Sequence, residues 1–550
     1  MRPIQQQYIS PNRRSDPATG IYHTNGNNPD ATLRANDPHV TKISKQSFDK
    51  QRAVEQLTQG TSNWQDWNRN GKTEISYHFK NEWGASFSEP QRQEARRSIQ
   101  SWSDVANLTF TENGRQAEGR LSFRISNKEV AAEGFYPSFH AEAGDTIYNP
   151  NFVSRPVITH EIGHTLGLTH PGQYNGKTTE GQRVYAEDSK AHSVMSYFDA
   201  QGSGKQLGEL PNAPMMDDIS AAQKLYGANH QIRRDNTTYG FNSNSERDYY
   251  SLKNHRDNAA FCVWDGAGND TLDFSGYGNN QVINLKAGSF SDVGGYQGNV
   301  SIAHDCSIEN AIGGSGNDVL IGNEAGNRLT GGLGGDRMRG GGGPDVFVYN
   351  HAGESTPENP DEIMDFISGT DRIDVSGALR KAGLASLSFV NAWSGKAGET
   401  RLTYDEKSDI GVVSIDLTGD GQANFLIQTH GRVKPEDIVP FQTTKITPRI
   451  SPVRPQFVFN NASESSFANA RLFTDFTTGT DKLDLRGLEK QANTRLTLVN
   501  AFTGRVGEAI VSYNPHTYRY FVAIDLTGNR RPDFLVKSTQ VIKPKDILVN

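Results

Sequence analysis

Apolar positions recur along this chain with three different periods. Between Glu89 and Ala106 they fall at helical spacing, with Ile99, Trp102 and Ala106 on one face, which predicts an amphipathic helix. Leu121, Phe123 and Ile125 then alternate with polar neighbours, as in a half-buried strand. A second helix is expected after Thr146-Ile147-Tyr148-Asn149, so the stretch from about Ser47 to Asn229 reads as one globular domain mixing helices and strands. Residues 313–348 follow a period of nine, in the consecutive units 313–321, 322–330, 331–339 and 340–348. Each unit has six glycine-rich turn residues and then three strand residues that carry an apolar side chain. The first two dozen residues, rich in Asn, Pro, Gly and charge, predict a flexible segment.

The C-terminal part repeats itself. Phe347-Val348-Tyr349-Asn350 recurs as Phe457-Val458-Phe459-Asn460, and Asp365-Phe366 as Asp475-Phe476. Gly369-Thr370-Asp371-Arg372-Ile373-Asp374 returns as Gly479-Thr480-Asp481-Lys482-Leu483-Asp484. Ile415-Asp416-Leu417-Thr418-Gly419 matches Ile524-Asp525-Leu526-Thr527-Gly528, and Val433-Lys434-Pro435 is echoed by Ile542-Lys543-Pro544. One module is therefore present twice, joined by the Pro-containing segment 441–455. Asp416 and Asp420 lack the remaining ligands of an EF-hand loop, so a hairpin turn is expected there.

Composition narrows the reading. With 550 residues the chain has room for several cores, and 55 glycines against 34% apolar residues suggest a solenoidal part beside a globular one. A net charge of −7 argues against nucleic acid as a main partner, and no apolar run is long enough to span a bilayer. Residues 1–30 lack the apolar core of an export signal peptide. Cys262 and Cys306 are too few for a disulfide framework; two buried free thiols are expected, a single bridge being the alternative.

The chemistry is concentrated in the run His160-Glu161-Ile162-Gly163-His164-Thr165-Leu166-Gly167-Leu168-Thr169-His170. On a helix, His160 and His164 stand one turn apart on one face, and Glu161 projects beside them. Gly167 permits the turn that ends the helix and brings His170 back as a third ligand. Three neutral imidazoles with an open fourth position describe a catalytic zinc site, with Glu161 placed to take a proton from water. In the nine-residue units, Asp318, Asp336 and Asp345 supply carboxylates, while Gly314, Gly316, Gly332, Gly334, Gly341 and Gly343 supply carbonyls. Such oxygens suit several structural Ca²⁺ ions. The second unit is degenerate, with Asn323, Ala325 and Asn327 at the key positions.

The histidine run, followed by Ser193-Val194-Met195-Ser196-Tyr197-Phe198, resembles the metzincin signature with its Met-turn. Within that group the chain resembles the serralysin family of secreted bacterial proteases, from roughly residue 45 to its end. Thr159–Gly172, Tyr185-Ala186-Glu187-Asp188 and Pro214-Met215-Met216-Asp217-Asp218-Ile219 strengthen the likeness. The resemblance implies that Met195 forms an apolar floor under the zinc and that Tyr197 is a switchable zinc ligand stabilising the transition state. It also implies a further calcium site from Arg233, Asp235 and Thr237 with the isolated repeat Asp265-Gly266-Ala267-Gly268-Asn269-Asp270. The expected ligands there are Arg233, Asp235, Thr237, Asp265, Ala267 and Asp270.

An α+β zincin-type catalytic domain, an all-β parallel roll and a duplicated C-terminal β module are thus expected. The boundaries are a removable pro-segment over 1–25, the protease domain over 26–230, the calcium-binding roll over 231–350, the first module over 351–440, the linker 441–455 and the second module over 456–550. The expected function is that of a secreted zinc endopeptidase cleaving extracellular proteins, monomeric, exported by type I secretion machinery from its C-terminal end. That end, Lys545-Asp546-Ile547-Leu548-Val549-Asn550, is similar to the family's terminus apart from the extra Asn550. A proteinaceous inhibitor is a further partner class. The alternatives are a calcium-dependent adhesion protein with an inactive metzincin domain, and a zinc amidase or deacetylase.

Overall fold

The computed structural model describes residues 45–81, 85–176, 178–439, 457–466, 470–473, 476, 482–514, 519–538 and 542–549. The expected pro-segment and linker lie outside these residues, as do Asp475, Gly479-Thr480-Asp481 and Asn550. The chain divides into two units after Thr443.

The first unit opens with helix α1 (Lys50–Thr58) and a five-stranded sheet. Its strands are β1 (Thr73–Phe79), β2 (Leu108–Glu112), β3 (Gly119–Ile125), β4 (Ala132–Gly134) and β5 (Asp145–Tyr148), in the order β2-β1-β3-β5-β4. All neighbours are parallel except β4, which runs antiparallel to β5 and forms an edge. Helix α2 (Glu89–Val105) begins where the Gln91 side chain accepts the Ser88 N–H at 2.9 Å, and it buries Ala95, Ile99, Trp102 and Val105. The helical face expected there is the one that packs.

Helix α3 (Arg155–Thr165) is different, because Val157 to Thr165 are all buried. It lies between α2, strands β4 and β5, and the loop carrying Met195. Trp102 Nε1 donates to Thr159 O at 3.1 Å, and Thr159 Oγ1 donates to Ser98 Oγ at 3.0 Å, which fixes α2 against α3. The helix is buried all round although it carries Arg155, His160, Glu161 and His164. Helix α4 (Met216–Tyr226) packs on α1 and α2.

Beyond Thr238–Gly240 the chain winds into a roll of two parallel sheets. Strands Asn310–Ile312, Arg328–Thr330 and Val346–Val348 pair successively in one sheet. Val319–Ile321 and Arg337–Arg339 pair in the other. Each coil therefore consumes two of the nine-residue units, and Leu320, Leu329, Met338 and Phe347 stack inside it without exposure. The turns need glycine: at Gly334, with φ of +131°, a Cβ would lie 2.2 Å from Gly316 O.

The two modules have the same topology. In the first, Asp361–Ile363 pairs with Phe425–His430, followed by the strands Ile410–Asp416, Glu399–Asp405 and Ser388–Phe389. In the second, Arg471–Phe473, Phe534–Ser538, Arg519–Asp525, Glu508–Asn514 and Thr497–Leu498 repeat that order. Asp416 closes a hairpin turn by accepting N–H groups of Gly419 and Gly421, and Asp525 does the same for Gly528 and Arg530. The second unit has its own core of Phe459, Leu483, Leu488, Val522, Phe534 and Val536. Cys262 and Cys306 are buried free thiols.

The substitution Gly334→Val should destabilise the roll by about 1–3 kcal/mol, because the backbone there is left-handed and the space is filled. Thermal unfolding of purified protein measures this, and an unchanged midpoint would show that the turn tolerates a side chain.

Candidate metal centre

Helix α3 carries His160 and His164 on one face, and its end is set by Gly167. There φ is +98° and a Cβ would lie 2.5 Å from Ser62 O, so only glycine fits. The chain turns back and delivers His170. The three Nε2 atoms then lie 3.1, 3.1 and 3.2 Å from one another. Among the described residues this is the one group of three or more His, Cys, Asp or Glu donors that closes to within 4.8 Å.

Each imidazole is held from behind. His160 Nδ1 lies 2.8 Å from Val194 O, His164 Nδ1 2.8 Å from Leu168 O, and His170 Nδ1 2.8 Å from Tyr174 O. A carbonyl only accepts, so each Nδ1 carries the proton and each Nε2 turns a lone pair to the common centre. Three lone pairs facing one another at this distance repel unless a cation stands between them. Tetrahedral zinc with bonds of ~2.0–2.1 Å separates its nitrogens by about 3.3 Å, so the donor set fits it. Burial holds all three imidazoles neutral, as ligands must be, with His164 lowered to about 4.

Glu161 is fully buried beside the triad, and its Oε2 has no hydrogen-bond partner among the described residues. Burial, reinforced by the nearby Glu133 carboxylate, pushes its carboxyl well above the ordinary range. An unpartnered oxygen next to a metal-type donor set is what a water-activating carboxylate requires. The edge strand β4 passes close by: a Cβ on Gly134 would lie 2.6 Å from Glu161 O and 3.0 Å from His164 Cβ. Sequence reasoning missed Gly134, since one glycine in a three-residue strand carries no signal.

Met195 is buried under α3, where a Cβ on Gly163 would lie 2.5 Å from its Sδ. Tyr197 stands against the triad, its ring centroid 4.4 Å from that of His170 and 5.8 Å from that of His160. On the other side the Tyr136 ring meets His164 edge-on at 5.4 Å.

Two buried acids brace the loops that orient the ligands. Asp218 accepts from Ser193 Oγ at 2.6 Å, Val194 N–H at 2.7 Å and Met215 N–H at 2.9 Å. It thereby holds the residue whose carbonyl positions His160. Asp188 accepts from Tyr174 Oη at 2.8 Å and Ser196 Oγ at 2.6 Å, and Tyr174 in turn orients His170. Burial pushes both carboxyls up to about 6 against the pull of these donors. Neither role was legible in the sequence, although both acids lie in stretches that carried the family resemblance.

The candidate calcium ligands also come together. Thr237 N–H donates to Asp270 Oδ1 at 2.7 Å, Ala267 N–H donates to Asp265 Oδ1 at 2.8 Å, and Asp235 O faces Gly268. The Arg233 side chain is occupied by Asp104, Tyr239 and Trp264 O. In the roll, Gly332 packs on Gly314 O and Gly341 on Asn323 O, while Gly343 packs on Ala325. The carboxylates form two ladders: Asp318 N–H donates to Asp336, whose N–H donates to Asp361, and Asn327 N–H donates to Asp345, whose N–H donates to Asp371. Asp361 and Asp371 escaped the sequence reading because they lie beyond the last nine-residue unit.

A buried three-histidine centre with an adjacent free carboxylate defines a hydrolytic metalloenzyme of the zinc type. Comparison with known proteins is specific. The Peptidase M10 serralysin C-terminal family matches residues 228–440 and again 449–549. The chain is 41% identical to "Metallopeptidase AprA" of Pseudomonas marginalis over 446 residues, covering 73% of this chain and 93% of that one. It is 42% identical to "Serralysin" of Photorhabdus luminescens over 411 residues, covering 67% and 85%. It is 41% identical to "Serralysin B" of Dickeya chrysanthemi over 444 residues, covering 73% and 92%. The chain belongs to the serralysin family of metalloproteases.

Asp218→Ala should weaken zinc binding by about 10–100-fold, because the carbonyl that orients His160 loses its anchor. A competition titration against a chromogenic chelator reads this, and an unchanged affinity would show that Val194 is held by other contacts.

Proposed function

We propose that this protein hydrolyses peptide bonds inside extracellular proteins, with zinc held by His160, His164 and His170 in a zincin-type domain. The observation that carries the reading is the convergence of three buried Nε2 lone pairs beside an unpartnered Glu161 oxygen. When bound, zinc lowers the pKa of water in its open position and polarises the scissile carbonyl. Glu161 takes the proton from the attacking water and returns it to the leaving amine. Tyr197, whose ring stands against His170, would donate its hydroxyl proton in a hydrogen bond to the oxygen of the attacked carbonyl. Strand β4, at the sheet edge beside α3, pairs with extended substrate backbone and so accepts many sequences. Enclosure of α3 keeps bulk water from the centre, which strengthens every charge interaction there.

Glu161→Gln should retain zinc yet lose casein hydrolysis by at least about a thousandfold, in line with loss of the group that moves the proton. Phenanthroline should abolish activity of the unaltered protein and added zinc restore it. Full activity in either case would refute the assignment.

Calcium belongs to folding. Without it, burial in the roll pushes Asp318 up to about 6 and Asp336 and Asp345 up to about 8, while Asp361 rises well above the usual range. Coulombic pressure from neighbouring carboxylates adds to this at Asp336, Asp345 and Asp361. Oδ2 of Asp336 and of Asp361 has no hydrogen-bond partner among the described residues, as ion-facing oxygens would. Raised carboxyl pKa values mean that the calcium-free roll binds more protons than the unfolded chain. Its stability is therefore fullest near pH 4 and falls as pH rises to about 8. In chelator the roll should melt at a lower temperature at pH 7.5 than at pH 4.5, and calcium should reverse that order. Equal melting with and without calcium at pH 7.5 would exclude a structural role. Such a chain could leave a low-calcium cytosol unfolded through a type I channel and fold outside.

A further inference from the structure

We propose that Phe139 is a specificity-determining residue of this protease, reading an apolar side chain upstream of the scissile bond. The proposal rests on the reading of β4 as the strand that pairs with substrate. Beyond Gly134 the chain continues through Phe135 and Tyr136, whose ring covers the His164 edge, and three residues later reaches Phe139. That distance is at most about 10 Å along the backbone. The Phe139 side chain is completely exposed, at 107% of the reference area.

The loop presenting it is braced. Arg120 Nε donates to Ala143 O at 2.9 Å, and its Nη2 donates to His140 O and Ala141 O at 2.7 Å each. Gly144 N–H donates to Phe135 O at 3.0 Å and so closes the loop at its base. Its φ of +78° and the Arg120 carbonyl 1.9 Å from a would-be Cβ leave room for glycine alone. A ring held out into water on an anchored loop, touching nothing of its own chain, gains free energy only when something covers it. Antiparallel pairing with β4, the more stable arrangement, sends the substrate toward its own N-terminus as it runs from Gly134 to Phe139. The occupant is therefore an apolar side chain on the amino side of the cleaved bond.

The test uses two otherwise identical extended peptides of about twelve residues, one with leucines and one with glycines upstream of the cleaved bond. Phe139→Ala should lower kcat/KM for the leucine peptide by about five- to tenfold, through KM, and leave the glycine peptide unchanged; Phe139→Leu should restore most of the loss. Equal effects on both peptides, or none, would overturn the proposal. Failure of the unaltered enzyme to cleave either peptide would instead overturn the reading of the centre.

A second inference concerns the duplicated module. In the first copy, two side chains grip the last glycine-rich coils: Asp361 accepts from Asp336 N–H at 2.8 Å, and Glu362 pairs with Arg337 at 2.8 Å. The matching residues of the second copy are Arg471 and Leu472. No glycine-rich unit precedes that copy, and Leu472 and Val458 are exposed where Glu362 is paired and Val348 is buried. Among the described residues it has a core of its own, of aromatic and aliphatic side chains. We infer that the second copy folds without calcium, while the first depends on the calcium-loaded roll to which it is joined. Limited proteolysis of the full chain, with fragments weighed by mass spectrometry, distinguishes the two. In chelator, a fragment beginning near residue 450 should survive at least about tenfold longer than any fragment from 231–440. Equal lifetimes for both would overturn the inference.

Discussion

Three imidazoles forced to face one another govern the catalytic half of this protein. Their Nε2 atoms stand 3.1–3.2 Å apart in a buried centre, and each is locked there by a main-chain carbonyl behind its ring. No rotation relieves the crowding without breaking a carbonyl contact. The fold supplies the three carbonyls from three different places: the Met-turn, the helix C-terminus and the loop after His170. Holding those places in register is what the surrounding packing accomplishes.

Buried carboxylates are the recurring device in both halves. At the metal centre Asp188 and Asp218 accept from hydroxyl and amide donors and so anchor the loops that orient the histidines. In the roll the carboxylates accept only some of the bonds they can make, and Asp336 and Asp361 keep a free oxygen. Among the described residues an unpartnered oxygen is thus shared by Asp188, Asp336 and Asp361.

The edge position of β4 connects this rigidity to function. A strand inside a sheet has both sides occupied, whereas β4 keeps one side open a few ångströms from Glu161. Main-chain pairing at an edge recognises extended polypeptide by its backbone and leaves side-chain choice to whatever flanks the strand. The duplicated module shows the same economy at another scale: identical topology, with the residues that clip it to the coils present in one copy and replaced in the other.

Much was legible in the chain because the relevant constraints are local. Helical spacing places His160 and His164 together, Gly167 permits one turn, and the nine-residue period dictates a coil, since each depends on a few neighbouring residues. The free thiols, the hairpin at Asp416 and the α2 face follow for the same reason. Gly134, Asp188, Asp218, Asp361 and Asp371 were not legible as parts of a site. Each acts on residues far along the chain or outside a repeat, through contacts that exist only after helices, loops and coils have packed. Sequence by itself determined that His160 and His164 stand one helical turn apart, with His170 following the turn at Gly167; tertiary structure decided how the three imidazoles are held, because orientation is enforced by partners that only folding brings within hydrogen-bond reach.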